Sequence, residues 1–146
     1  MNHKEKIDMS CIFCEIANGN IPSSTIYEDD QVRAILDINP ASVGHVLIIP
    51  KKHCTSLLDP AADEATVHAV FDTAAKLARR LDEVLKPDGI NLVSNMKEGA
   101  GQTVEHLHVH LIPRYTNHPE KDALVMTNGV IEKPDFNELV TLLKED

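Results

Sequence analysis

Three histidines at alternate positions, His106, His108 and His110, stand in the run His106-Leu-His-Val-His-Leu-Ile112, which stops at Pro113. A period of two puts side chains on one face only in extended backbone; in a helix the middle ring would point away from the other two. The segment Val104–Pro113 is therefore read as a strand, with the imidazoles on one face and the intervening aliphatic residues entering the core. A merely solvated strand face would draw on Thr, Lys, Glu and Ser, so a row of imidazoles points to chemistry. Two chemistries fit. Same-face histidines can bind a catalytic metal that activates water. Alternatively, a neutral imidazole attacks phosphorus near pH 7 while its neighbours fix its tautomer and stabilise charge on the phosphoryl oxygens.

The rest of the chain supplies a sheet to hold that strand. Thr25–Glu28 and Gln31–Leu36 are short strand-like runs joined at Asp29-Asp30, and His45–Ile49 is an apolar strand stopped by Pro50. Ile90–Asn95 reads as another strand, followed by the glycine-bearing loop Lys97–Gly101. Asp59-Pro60 reads as the N-cap and first position of a long helix. Its stripe of Val67, Val70, Phe71, Ala74, Leu77, Ala78, Leu81, Val84 and Leu85 ends before Pro87-Asp88-Gly89. A short amphipathic helix is expected over 134–144. Mostly short links and one long helix give an α+β domain with a mainly antiparallel sheet. Residues 1–10 read as a flexible tail and 116–146 as an extension packed on the domain or on a dimer partner.

Charge narrows the partners. Lys plus Arg number 14 against 23 Asp plus Glu, a net charge of -9, which argues against wrapping a nucleic-acid backbone. Aromatic residues make up 3%, too few for a base-stacking platform. A single phosphate can still be held locally by backbone N–H groups and imidazoles. No run approaches the length of a membrane span and residues 1–10 are charged rather than apolar, so a cytoplasmic chain without membrane contact is expected.

The three cysteines, Cys11, Cys14 and Cys54, form no even disulfide set, which agrees with reduced thiols. Cys11-Ile-Phe-Cys14 followed by a short turn is a metal or redox pair, or two small buried hydrophobes. No second CxxC is present, so a closed site must recruit histidines. His53 is the best third ligand, with Cys54 its competitor.

Taken together these motifs resemble the histidine-triad (HIT) family. The resemblance covers residues 11–115 as one HIT domain. It rests on the triad, on Gly101-Gln102-Thr103, on Asn95, on Gly44-His45-Val46-Leu47-Ile48-Ile49-Pro50-Lys51-Lys52-His53, on Ile35-Leu36-Asp37-Ile38, on Tyr27-Glu28-Asp29-Asp30 and on Cys11-Ile-Phe-Cys14. It implies a five-stranded antiparallel sheet with a long helix, paired as a homodimer. It makes His108 the nucleophile, with His110 and His45 polarising or orienting, and Asn95, Gln102 and Thr103 hydrogen-bonding phosphate or leaving group. Thr103 stands where the family usually has Ser. Asp37 is similar to the ribose-binding carboxylate, and Ile12, Phe13, Ile16 and Ile38 would line the base pocket.

In the family's zinc-containing branch the first triad histidine, here His106, joins Cys11, Cys14 and His53 around a structural Zn²⁺, a closed site with no open water position. The implied activity is hydrolysis of a purine nucleoside monophosphate from an amine, acyl or polyphosphate leaving group. A dinucleoside polyphosphate hydrolase and a dimeric nucleotide-binding sensor are the alternatives. A transferase is disfavoured because that branch replaces the last triad histidine by Gln.

Overall fold

The computed structural model describes residues 11–117, 124, 126, 128–129 and 131–144. The expected tail, residues 1–10, lies outside the described residues. Nine elements follow one another: helix α1 (Ile12–Ala17), strands β1 (Thr25–Glu28), β2 (Val32–Leu36) and β3 (Val46–Pro50), helix α2 (Glu64–Leu85), strand β4 (Gly89–Val93), a 3₁₀ turn (Glu98–Ala100), strand β5 (Val109–Arg114) and helix α3 (Phe136–Leu143). The five strands form one sheet in the order β1-β2-β3-β5-β4, antiparallel at every junction. The α+β reading and the mainly antiparallel sheet hold.

Alternation along the strands divides the core. Val32, Ala34, Val46, Ile48, Val109 and Leu111 pack with Val70, Ala74, Leu77 and Leu81 of α2. Ile35, Leu47 and Ile49 point to the other face and pack with Ala17, Phe13 and Ile16 of α1. Because Val109 and Leu111 face α2, His110 between them must face the α1 side, where it pairs with Leu47 across the ladder. The sheet thus has a structural face under the long helix and a chemical face beside the short one.

Three expectations are corrected. The long helix begins at Glu64, with Asp63 as N-cap accepting from the Thr66 N–H at 2.9 Å. Asp59 instead closes a tight turn: its carboxylate accepts from the backbone N–H groups of Thr55 and Ala61, and its carbonyl from Ala62. Both aspartates carry a capping signal, and the one nearer the apolar stripe opens the helix. The segment after Cys11 is a six-residue helix rather than a turn, with the Cys11 Sγ accepting from the Cys14 N–H.

The triad strand is also shorter than the periodicity suggests, since β5 starts at Val109. Ahead of it, the Leu107 N–H goes to the Cys54 carbonyl at 2.7 Å, beyond the end of β3 at Pro50. The aliphatic alternation nonetheless reaches the core, with Leu107, Val109 and Leu111 almost fully buried.

Asp63→Ala is expected to remove the α2 cap and destabilise the fold by about 1 kcal/mol. Chemical denaturation should report this as a lower midpoint with an unchanged slope; an unchanged midpoint would place the helix start elsewhere.

Candidate functional site

Two side-chain clusters meet at the triad, one on each side of His108. His108 is 7% exposed, and its Nδ1 lies 2.7 Å from the carbonyl oxygen of His106. A carbonyl only accepts, so the ring carries its proton on Nδ1 and keeps a lone pair on Nε2. Burial lowers its pKa, opposed by that hydrogen bond and by the charge of Asp37, so the ring is neutral near pH 7. The His108 carbonyl accepts from Ser94 Oγ at 2.8 Å, and the Phe13 ring stands edge-on to the imidazole with centroids 4.9 Å apart.

The same reasoning assigns His45 and His110. The Ala41 N–H donates to His45 Nδ1 at 3.0 Å, so the proton of neutral His45 sits on Nε2. His45 Nε2 is 2.9 Å from His110 Nδ1 and 3.6 Å from Asp37 Oδ2. Donation to His110 Nδ1 leaves the His110 proton on Nε2. The pair therefore offers one acceptor, His108 Nε2, and one donor, His110 Nε2–H, on rings 5.0 Å apart.

Burial is the main cause of the lowered pKa values of His45 and His110, the latter reaching about 4. Asp37, His45 and His110 also lie close enough to suggest a second cation site. The Ala41 N–H argues against it, because His45 coordinating through Nε2 would need its proton on the nitrogen that already accepts.

His45 reaches this position through Gly44, whose φ of +90° is in the left-handed region. A Cβ there would lie 2.5 Å from Leu85 Cδ1, so the end of α2 packs directly on the turn that aims His45.

On the other side of the triad, His106 is fully buried and its Nε2 donates to the Pro50 carbonyl at 2.8 Å. Its Nδ1 faces Cys11 Sγ at 3.4 Å, Cys14 Sγ at 3.5 Å and His53 Nδ1 at 3.2 Å, and Cys14 Sγ is 3.2 Å from His53 Nδ1. A tetrahedral Zn²⁺ with Zn–N of about 2.0–2.1 Å and Zn–S of about 2.3 Å needs ligand–ligand edges of about 3.3–3.8 Å. These four separations fall within or just below that range, all four ligand atoms lie within 4.8 Å of one another, and the donation from Nε2 leaves the lone pair of neutral His106 on Nδ1, so the residues fit the ion. Cys54 does not join them. It is fully buried under α2, where burial pushes its thiol up to about 11.

Between α1 and the triad lies a cleft of about 380 Å³. Its walls include Ile12, Phe13, Ile16, Asp37 and Ile38, together with Thr103, His108 and His110. Ile21, Pro22 and Ser23 also line it, a contribution from the loop after α1 that carries no motif of its own.

Gln102 is placed differently. Its Nε2 donates to the carbonyls of Thr55 and Val104, its Oε1 accepts from the Lys97 N–H, and it borders a separate hollow with Thr55, Lys97 and Glu105. Lys97 has φ 72° and ψ 159°, a conformation usually reserved for glycine, so Gln102 holds a strained turn. Asn95 lies beside that turn, its Nδ2 within 3.8 Å of where a Cβ on Gly101 would be. Ser94 was missed by motif reading. The β4–β5 register pairs Val93 with His110, so Ser94, just past the end of β4, stands beside Val109 and reaches the neighbouring His108 carbonyl.

Residues 18–117 match the HIT domain family model. The chain is 37% identical over 145 residues to the adenosine 5'-monophosphoramidase of Saccharomyces cerevisiae, covering 99% of this chain and 85% of that one. Among solved structures, a member of the HIT family from Bacillus subtilis superposes with a TM-score of 0.80 at 36% identity, covering 91% of this chain and 94% of that one. A Zn-bound histidine triad family protein from Mycobacterium smegmatis superposes with a TM-score of 0.71, also at 36% identity, covering 93% and 91%. The chain belongs to the HIT family.

The lowered pKa values of His45 and His110 fix a pH dependence of folding. The unfolded chain binds these protons near pH 6.5 and the folded chain only at lower pH. The two rings therefore leave stability unchanged well above pH 6.5 and reduce it as pH falls towards about 4. Between about pH 7.5 and 5, urea unfolding should show the wild type losing more stability than His110→Asn. Equal losses would mean that His110 titrates normally.

Proposed function

We propose that the chain is a nucleotide hydrolase that cleaves a purine nucleoside monophosphate from a phosphoramidate, acyl or polyphosphate leaving group through a nucleotidyl-His108 intermediate. The observation that carries this reading is the 2.7 Å contact between His108 Nδ1 and the His106 carbonyl, which leaves a neutral Nε2 lone pair on a residue that lines the cleft. Attack by Nε2 forms the N–P bond as the bond from phosphorus to the leaving group breaks with its electron pair. The ring becomes cationic, and the His106 carbonyl stabilises it through the retained Nδ1–H. His110 Nε2–H donates to a phosphoryl oxygen, with its tautomer held by His45. The Thr103 hydroxyl serves the leaving group. Water then attacks phosphorus and returns His108 to its neutral form.

In this reading the base lies against Ile12, Phe13, Ile16 and Ile38, and Asp37 accepts from the ribose hydroxyls. Asn95 hydrogen-bonds phosphate or leaving group, while Gln102 acts through the loop it fastens rather than by touching phosphate. Cys11, Cys14, His53 and His106 hold a structural Zn²⁺; when bound, the ion ties the N-terminal segment to the sheet and contributes folding free energy. The relative named as an adenosine 5'-monophosphoramidase supports this activity over cleavage of dinucleoside polyphosphates.

A cytoplasmic homodimer is the proposed context. No helix among the described residues is long and apolar enough to cross a membrane. Val84 of α2 and Leu92 of the edge strand β4 are 56% and 49% exposed, an apolar surface suited to a second copy. All of α3 is exposed, including Phe136, Val140 and Leu143, which suits the 116–146 extension to packing on the partner.

His108→Asn should lower turnover of an adenosine phosphoramidate by several orders of magnitude while zinc content and nucleotide binding persist. Wild-type protein should be labelled, acid-sensitively, by substrate carrying ³²P at the α-phosphate, and the variant should not. Loss of metal together with activity, with no labelled intermediate, would replace the nucleophile by a catalytic metal. Nucleotide binding without turnover of phosphoramidate, dinucleoside tetraphosphate or nucleoside diphosphate sugar would instead make the chain a sensor.

Cys14→Ser is expected to release one zinc per chain and lower the melting temperature. Metal-free wild-type protein with the same melting temperature would remove zinc from the account.

A further inference from the structure

Helix α1 belongs to two sites at once. It contributes Cys11, at its cap, and Cys14 to the four-ligand set, and Ile12, Phe13 and Ile16 to the cleft wall. Phe13 lies between the two cysteines in sequence and touches the triad in space. Its ring is edge-on to His108 at 4.9 Å and 87°, and to His106 at 6.2 Å and 71°. We propose that metal occupancy and nucleotide binding are coupled through this helix, with Phe13 as the positioning residue that carries the tie to His108. The inference rests on the zinc and nucleotide readings above and adds a linkage between them.

A six-residue helix is too short to persist by itself in water. Its apolar anchorage is small, consisting of Ala17 with Phe13 and Ile16 against Ile35, Leu47 and Ile49. The two sulfurs add to that anchorage, and a cation bound between them and the histidines would make their part strong. Two of its ligands come from α1, while His53 and His106 come from the sheet side, so binding fixes the orientation of the helix about its axis. The cleft wall and the ring against His108 are set by that same orientation.

A nucleotide meeting a helix already ordered by metal has less ordering to accomplish and binds more tightly. By thermodynamic reciprocity, bound nucleotide must then raise metal affinity by the same factor.

The test uses the full chain with Zn²⁺ and AMP as probes. Calorimetry should give AMP affinity about tenfold higher for zinc-loaded than for zinc-stripped protein. Saturating AMP should raise zinc retention against a chelator by the same factor. Phe13→Ala keeps all four ligands, so it should still hold one zinc, but its ratio of AMP affinities should fall towards one and Phe13→Leu should restore part of it. Where stripping the metal unfolds the chain, ¹¹³Cd-loaded protein replaces that comparison. AMP should move the cadmium resonance in wild type and leave it in place in Phe13→Ala.

Zinc and AMP that both bind with no effect on each other, or a cadmium resonance indifferent to AMP, would overturn the coupling and leave both underlying readings intact. A chain that takes up no zinc, or no AMP, would overturn the corresponding reading and the coupling with it.

Discussion

The site depends on where strand β3 stops. Regular pairing of β3 with β5 ends at Ile48 and Val109, and beyond it the carbonyl of Pro50, the last residue of β3, accepts the Nε2–H of buried His106. That bond turns the first triad ring towards the cysteines and away from the cleft. The chain then recovers at Leu107, whose N–H reaches the Cys54 carbonyl, and only from Val109 does regular pairing resume. One row of alternate histidines is thereby divided: His106 faces a ligand set, while His108 and His110 face a cleft. Had the ladder continued through residue 106, all three rings would have shared one environment, as an unbroken strand implies.

Much of this was legible because period-two and period-three-to-four patterns report burial. Val109 and Leu111, the apolar run at β3 and the middle of the α2 stripe (Val70, Ala74, Leu77 and Leu81) entered the core as the periodicity required, while Val84 and Leu85 at its end are exposed. What escaped was decided by competition between local signals or by long-range backbone bonds. Asp59-Pro60 read as the helix start, but Asp59 closes a turn with Thr55 and Ala61, and Asp63 caps α2 instead. The helix α1 is too short to leave a periodic trace. Gln102, which the resemblance made a hydrogen-bonding partner of phosphate or leaving group, has its amide engaged by Thr55, Lys97 and Val104, partners that become neighbours only in the fold. The cleft residues Ile12, Phe13, Ile16, Asp37 and Ile38 do converge, though as bare sequence they resemble ordinary core and turn residues.

Backbone groups, rather than charged side chains, prepare the three rings. The carbonyls of Pro50 and His106 each take one imidazole proton, and the Ala41 N–H excludes a proton from His45 Nδ1. Such partners do not titrate, so they impose the same tautomers wherever the rings are neutral. Asp37 is the exception, a carboxylate whose charge raises the proton affinity of His45, His108 and His110 against the effect of burial. The chemical face of the sheet thus combines a dipolar backbone frame with one charged side chain.

Cys54 carries a consequence of a different kind. It has no solvent exposure, sits in the cluster under α2, and has its thiol held near 11, so in the native chain it is neither reachable nor ionised. Its reactivity towards an alkylating reagent is therefore gated by separation of α2 from the sheet, and the rate of its modification counts those openings. The molecule contains its own clock for the breathing of its core.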